Sequence, residues 1–250
     1  MVAKAVEVRQ VSKVYGNKTV LNNISCQFNQ GMTVGLIGPN GAGKTTLESI
    51  LVHLVLPTRG EVYINGKSIS KDPEFNRHLV FMPAEPKFPP ISVQEYVLDC
   101  AYLRDFPKNE ALNRLHKSPL AEHRSQSCNS LSTGQKKILQ IIALNIVYLS
   151  VSRHLPSGKK PKLTVILDEP FNGLDPTNRH LFIDNIKIWQ NWGWTIVISS
   201  HNLHDIQVLA DYVFMIKKGK PVYVGPITPD IEQTYREKFI ETGDAGLFEL

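Results

Sequence analysis

The run Gly38-Pro39-Asn40-Gly41-Ala42-Gly43-Lys44-Thr45-Thr46 constrains this chain more than any other stretch. It follows an apolar, β-prone segment, Met32–Ile37, and opens into Leu47–Leu54, whose apolar positions recur with a helical period. Strand, glycine turn and helix, in that order, are what a phosphate-binding loop needs. Gly38 and Gly43 bracket four residues and Lys44-Thr45 follow, so the Walker A spacing is complete. Glycines let backbone N–H groups converge on phosphate oxygens, and the helix N-terminus adds partial positive charge. Lys44 would reach the β- and γ-phosphates, and the Thr45 hydroxyl would ligate Mg²⁺.

A chain of 250 residues with 42% hydrophobic content can bury a sizeable core, as one large domain or two small ones. The longest apolar stretches, such as Ile138–Tyr148, are interrupted or too short to span a bilayer. The first residues, Met1–Glu7, show no apolar signal region, so a cytoplasmic protein is expected. Cys26, Cys100 and Cys128 form no ligand spacing and suit a reducing compartment. The formal charge of +5 suits nucleic acid, an anionic membrane surface or a nucleotide. Its only dense cluster, Lys159-Lys160-Pro161-Lys162, reads as a solvated loop in preference to a nucleic-acid patch.

Ala5–Val11 alternates apolar and polar residues like a strand, and Thr19–Phe28 reads as its return across a turn at Tyr15–Lys18. Tyr15 is either a half-buried turn aromatic or a ring on which adenine stacks. After the glycine loop and its helix, Asn65-Gly66 marks a hairpin, and Leu79–Met82 is a short strand ending in the proline-rich segment 83–90. Helices follow: Ser92 and Glu95 form a capping box before Val93–Leu103, and Glu110–His116 is shorter. Leu131-Ser132-Thr133-Gly134-Gln135 leads into a buried helix, Lys136–Leu149, whose N-terminus is a second potential anion site.

Leu163–Leu167 is a continuous apolar run, as in a strand buried on both faces of a parallel sheet. It ends at Asp168-Glu169, at the edge where open α/β sheets bind ligands. Asp168 would hold Mg²⁺ through water, and Glu169 would polarise the attacking water. Gly173–Pro176 is a turn, Thr177–Trp189 a helix, and Thr195–Ser199 a second buried strand running into Ser200-His201. His201 and His204 have i, i+3 spacing, but no third residue completes a zinc site. Tyr212–Ile216 and Pro221–Val224 close the chain as a hairpin, and the tail from Thr228 holds a short helix and a polar end.

Over residues 5–226 the sequence resembles the ATP-binding-cassette family, specifically the nucleotide-binding subunit of an ABC transporter. The resemblance implies an α/β P-loop NTPase core, a mixed sheet flanked by helices, with an antiparallel β subdomain and an inserted α-helical subdomain. It places the core at 1–87 and 151–227, the helical part at 88–150 and a tail at 228–250. Residues Gly38, Pro39, Asn40, Gly41, Ala42, Gly43, Lys44, Thr45 and Thr46 match Walker A, and Tyr15 matches the adenine-stacking aromatic. Leu131–Gln135 matches the signature motif, including Ser132, Gly134 and Gln135, with Thr133 in place of the usual first glycine. Leu163–Glu169 looks like Walker B with the catalytic glutamate, Gly173–Pro176 like the D-loop, and His201 like the switch histidine. Two features depart from the pattern. Ala84 stands where the hinge glutamine should fall, so that either bound water fills the gap or the adjacent Glu85 swings in as a substitute, and Val151–Lys162 reads as an extra exposed loop.

The resemblance implies ATP and Mg²⁺ as ligands, with Lys44, Glu169 and His201 as the catalytic group. It also implies a composite site, in which a second ABC ATPase subunit, identical or different, closes each P-loop with its signature helix. Separately encoded transmembrane permease subunits would be the further partners, with the chain on the cytoplasmic face of the membrane and transport in the export direction. No nucleic acid is expected. The alternative is a non-transport ABC ATPase acting on nucleic acid or ribosomes, but no long heptad run and no second P-loop accompany this one.

Overall fold

The central strand, β3 (Thr33–Ile37), is buried at every position, and its residues divide between the two faces of a sheet. Val34 and Leu36 enter one hydrophobic cluster and Ile37 the other. In the computed structural model, which describes residues 3–76, 78–156 and 161–239, this division organises the whole core.

Six strands form the main sheet in the order β10-β9-β3-β8-β7-β6, with β6 at Leu79–Met82, β7 at Thr164–Asp168, β8 at Thr195–Ser199, β9 at Tyr212–Lys217 and β10 at Lys220–Pro226. All neighbouring pairs are parallel except β9 with β10. The sheet is therefore mixed. β7 and β8 are buried throughout, which accounts for their continuous apolar sequence. One face packs on α1 (Lys44–Leu51) and a second sheet of order β2-β1-β4-β5. That sheet is antiparallel and comprises β1 (Lys4–Tyr15), β2 (Lys18–Asn29), β4 (Arg59–Ile64) and β5 (Lys67–Ser68). The opposite face is covered by α5 (Pro176–Asn191), α6 (Leu203–Leu209) and α7 (Ile231–Phe239).

A third cluster joins α2 (Val93–Leu103), α3 (Lys108–His116) and α4 (Thr133–Arg153) through Val97, Ala111, Leu115, Leu139 and Ile142. Leu144 of α4 belongs instead to the cluster under the main sheet, so this helix ties the two cores together. The Ser92–Glu95 capping box at the start of α2 is present, with both reciprocal hydrogen bonds. Among the described residues, no helix is long and apolar enough to cross a membrane.

Among the boundaries that differ from the sequence reading, two bear on the site and its flanking helix. Helix α1 starts at Lys44, because Gly43 takes the left-handed conformation (φ 111°) at its N-cap. The loop expected from Val151 is helical as far as Arg153. Arg153 pairs with Glu110 of α3 at 3.0 Å and lies over the Phe106 ring, so α4 gains contacts there that hold its last turn. The expected basic cluster at Lys159-Lys160 and the polar tail end beyond Phe239 lie outside the described residues.

Candidate functional site

The parallel strands β3, β6, β7 and β8 all deliver their C-terminal ends to one edge of the main sheet, as the pairing of Leu36 and Asp168 with Ser199 requires. The glycine loop leaves β3 at that edge. A Cβ on Gly38 would stand 2.3 Å from the Ile216 main-chain oxygen of β9, so only glycine lets the loop pass. At Gly43 a Cβ would meet Leu21 of β2 at 2.7 Å, and the positive φ adds strain for any other residue. The loop is further pinned where Gly219 N–H donates to the Ala42 oxygen at 3.0 Å.

Lys44 is buried and turns back on its own loop, with Nζ donating to the Gly38 oxygen at 2.7 Å and the Pro39 oxygen at 3.3 Å. A cavity of about 310 Å³ opens above it, lined by Asn40–Thr46, Lys18, Val20, Ala84, Asp168 and Glu169. Loop amides, an ammonium, a threonine hydroxyl and two carboxylates thus share one space. The ammonium and amides suit a polyphosphate, while the oxygens of Thr45, Asp168 and Glu169 are hard donors of the kind Mg²⁺ prefers. Among the described residues no group of three or more His, Cys, Asp and Glu side chains is assembled for a metal. A cation in this cavity would complete its shell with phosphate oxygens and water.

Ser199 organises the acidic pair. Its Oγ donates to Asp168 Oδ1 at 3.0 Å and accepts the Glu169 N–H at 3.0 Å. Glu169 itself sits in the left-handed region, at φ 43°. Its Oε2 lies 2.9 Å from His201 Nδ1, whose ring is mostly exposed. On the far side, Lys137 of α4 donates from Nζ to the main-chain oxygens of Glu169 and Pro170, both at 2.7 Å. Lys137 is 1% exposed, and burial pushes its ammonium down to about 8 against the opposing pull of Glu169 and Asp168. Beneath the loop, Glu48 of α1 is fully buried and neither carboxyl oxygen has a hydrogen-bond partner. Burial first, and then the charge of Asp168, raise its carboxyl well above the usual range.

The signature segment stands apart from this cavity. Ser132 and Gln135 cap α4 reciprocally: Gln135 Oε1 accepts from Ser132 N–H at 2.9 Å, and Ser132 Oγ accepts from Gln135 N–H at 3.3 Å. Ser132 and Thr133 are exposed, so the helix end faces outward. Thr133 packs closely on Gly173, where an added Cβ would meet its Cγ2 at 2.8 Å. Tyr15, 46% exposed, is not a lining residue of the cavity, and Lys13 Nζ lies 4.7 Å from its ring centroid. Ala84 lines the cavity, whereas Glu85 beside it is exposed and is not among the lining residues. Sequence reasoning missed Lys18, Glu48, Lys137 and Ser199. Only Glu48 carried a signal, as an acid at an apolar position of a helix.

A family model described as "ABC transporter" matches residues 21–152. The lantibiotic transport ATP-binding protein SrtF of Streptococcus pyogenes is 31% identical over 214 residues, which cover 86% of this chain and 87% of that one. The linearmycin resistance ATP-binding protein LnrL of Bacillus subtilis is 26% identical over 249 residues, covering 97% and 76%. A solved ATP-binding subunit of an ABC transporter superposes with a TM-score of 0.77 at 25% identity, covering 94% of this chain and 95% of its own.

Proposed function

The chain belongs to the ABC transporter family as an ATP-binding subunit, and from that premise we propose that it hydrolyses ATP to drive separately encoded membrane subunits in export. The observation that carries the reading is the cavity in which the glycine loop, Lys44, Asp168 and Glu169 converge.

In this reading the amides of residues 40–46 and the Lys44 ammonium hold the triphosphate, and the Lys44 bonds to Gly38 and Pro39 are exchanged for phosphate oxygens. Tyr15 offers its exposed ring to the adenine. Thr45 and Asp168 would hold Mg²⁺, which would supply charge neutralisation for the triphosphate. Glu169 accepts the proton of the attacking water, and His201, 2.9 Å from its carboxylate, orients that base. The outward-facing Ser132–Gln135 end of α4 lies away from its own cavity, so it meets the γ-phosphate only in a second copy or a related subunit. We assign 1–87 and 151–227 to the nucleotide-binding core and 88–150 to the helical part that carries this end. Closure of two subunits around ATP, and opening after hydrolysis, would reach the membrane subunits on the cytoplasmic face through the segment 83–90. The names of the relatives in lantibiotic transport and linearmycin resistance support export.

The composite arrangement is tested with Glu169→Gln, which keeps the shape of the side chain and removes the base. Size-exclusion chromatography should show a dimer with ATP and Mg²⁺ and a monomer with ADP. Identical elution in both nucleotides would overturn the shared site.

A further inference from the structure

Helix α1 needs apolar residues where it packs against the sheet, and Leu47, Ile50 and Leu51 supply them. Glu48 lies among these residues, fully buried, with both carboxyl oxygens lacking a hydrogen-bond partner. An apolar side chain of similar size would fill that place without the cost of removing a carboxyl from water. The fold therefore gives no account of the acid. Its surroundings do. Glu48 stands one turn beyond Lys44 on the same helix face, and the polar groups acting on it are Asp168, Ser199 and Lys44. Lys44 and Asp168 line the nucleotide cavity, and Ser199 holds Asp168 and Glu169 in place.

Ala84, following β6, lines that cavity with a side chain that carries no oxygen, and the exposed Glu85 is not among its lining residues. Two carboxyl groups thus meet behind the loop, from α1 and β7, while the segment after β6 contributes none. Adjacent acids repel one another, and a divalent cation held by Asp168 relieves that repulsion; Glu48, which does not line the cavity, acts through Asp168.

We propose that Glu48 is a metal-positioning residue, which stands behind Asp168 and through it tunes the hold on the divalent cation of the nucleotide cavity. The inference rests on the reading of Thr45 and Asp168 as the Mg²⁺ site. Groups in the shell around a metal's direct ligands commonly change its affinity about 10–100-fold.

The test is a Mn²⁺ titration, followed by the electron paramagnetic resonance signal of the free ion, with the non-hydrolysable analogue AMP-PNP bound. Wild type, Glu48→Gln, Glu48→Leu and Asp168→Asn are compared, and AMP-PNP binding is measured separately in EDTA. Both Glu48 variants should bind Mn²⁺ about 10-fold or more weakly, with unchanged AMP-PNP affinity in EDTA. Glu48→Leu should also melt at a higher temperature than wild type without metal, because it fills the buried place with an apolar group. That variant keeps the test open if Glu48→Gln does not fold. Wild-type Mn²⁺ affinity in Glu48→Leu, with weakened affinity in Asp168→Asn, would overturn the role of Glu48 alone. Wild-type affinity in Asp168→Asn would overturn the metal-site reading itself, and the inference with it.

Discussion

Lys137 Nζ of α4 donates to the main-chain oxygen of Glu169 at 2.7 Å, joining the helix capped by Ser132 to the strand end that carries the proposed base. The Glu169 N–H is taken by Ser199 Oγ, so its left-handed backbone is gripped from both sides. A displacement of α4 would therefore be felt at Glu169. Lys137→Met removes this donor from the Glu169 and Pro170 oxygens; the former keeps the Asn172 N–H at 3.2 Å, while the buried Pro170 oxygen loses its partner, a cost of about 1–3 kcal/mol. Turnover should fall by more than ATP affinity, measured as phosphate release against equilibrium nucleotide binding on folded protein. Wild-type turnover would show that the link is packing alone.

The same lysine makes a prediction about pH. Its folded-state ammonium gives up a proton near 8, whereas the ordinary value is 10.5. Between these values the unfolded chain holds more protons, so the Lys137 contribution to stability rises with pH through that window. Urea unfolding at pH 7.5 and 9.5 should show wild type gaining on Lys137→Met at the higher pH. A constant difference would mean that Lys137 keeps its charge throughout.

Ser199→Ala removes the one hydroxyl that serves both acids, freeing Asp168 Oδ1 and the Glu169 N–H together. The expected result is lower turnover and a higher Mg²⁺ requirement, with nucleotide binding in EDTA retained. Magnesium titrations at saturating ATP measure this, and overlapping curves would contradict it.

Much of this site is legible in the sequence because phosphate loops depend on backbone geometry, and backbone geometry imposes residue types. Gly38 and Gly43 are examples, one set by a crowding carbonyl of β9 and the other by a positive φ. The buried parallel strands β7 and β8 are similarly visible as apolar runs. Ser199 and Lys137 are invisible for the converse reason. Each is common in its own element, and its partners lie 30 and 32 residues away in the chain, joined only by sheet register and helix packing. The extent of α4 was also hidden, since its last turn is held by Glu110 on another helix.

Gly38→Ala tests the backbone argument. The added methyl would stand 2.3 Å from the Ile216 oxygen, and a main-chain atom cannot swing aside as a flexible side chain can. The variant should melt at a lower temperature and bind ATP more weakly, as followed by thermal unfolding with and without nucleotide. Wild-type melting and affinity would show that the loop has room to shift.

Glu169 carries the chemical claim, with its carboxylate in the cavity and its backbone fixed by Ser199 and Lys137. Glu169→Gln should bind ATP as wild type does while steady-state phosphate release falls by about 10²–10⁴-fold, the usual contribution of a positioned base. A folded Glu169→Gln protein that releases phosphate at the wild-type rate would contradict the account.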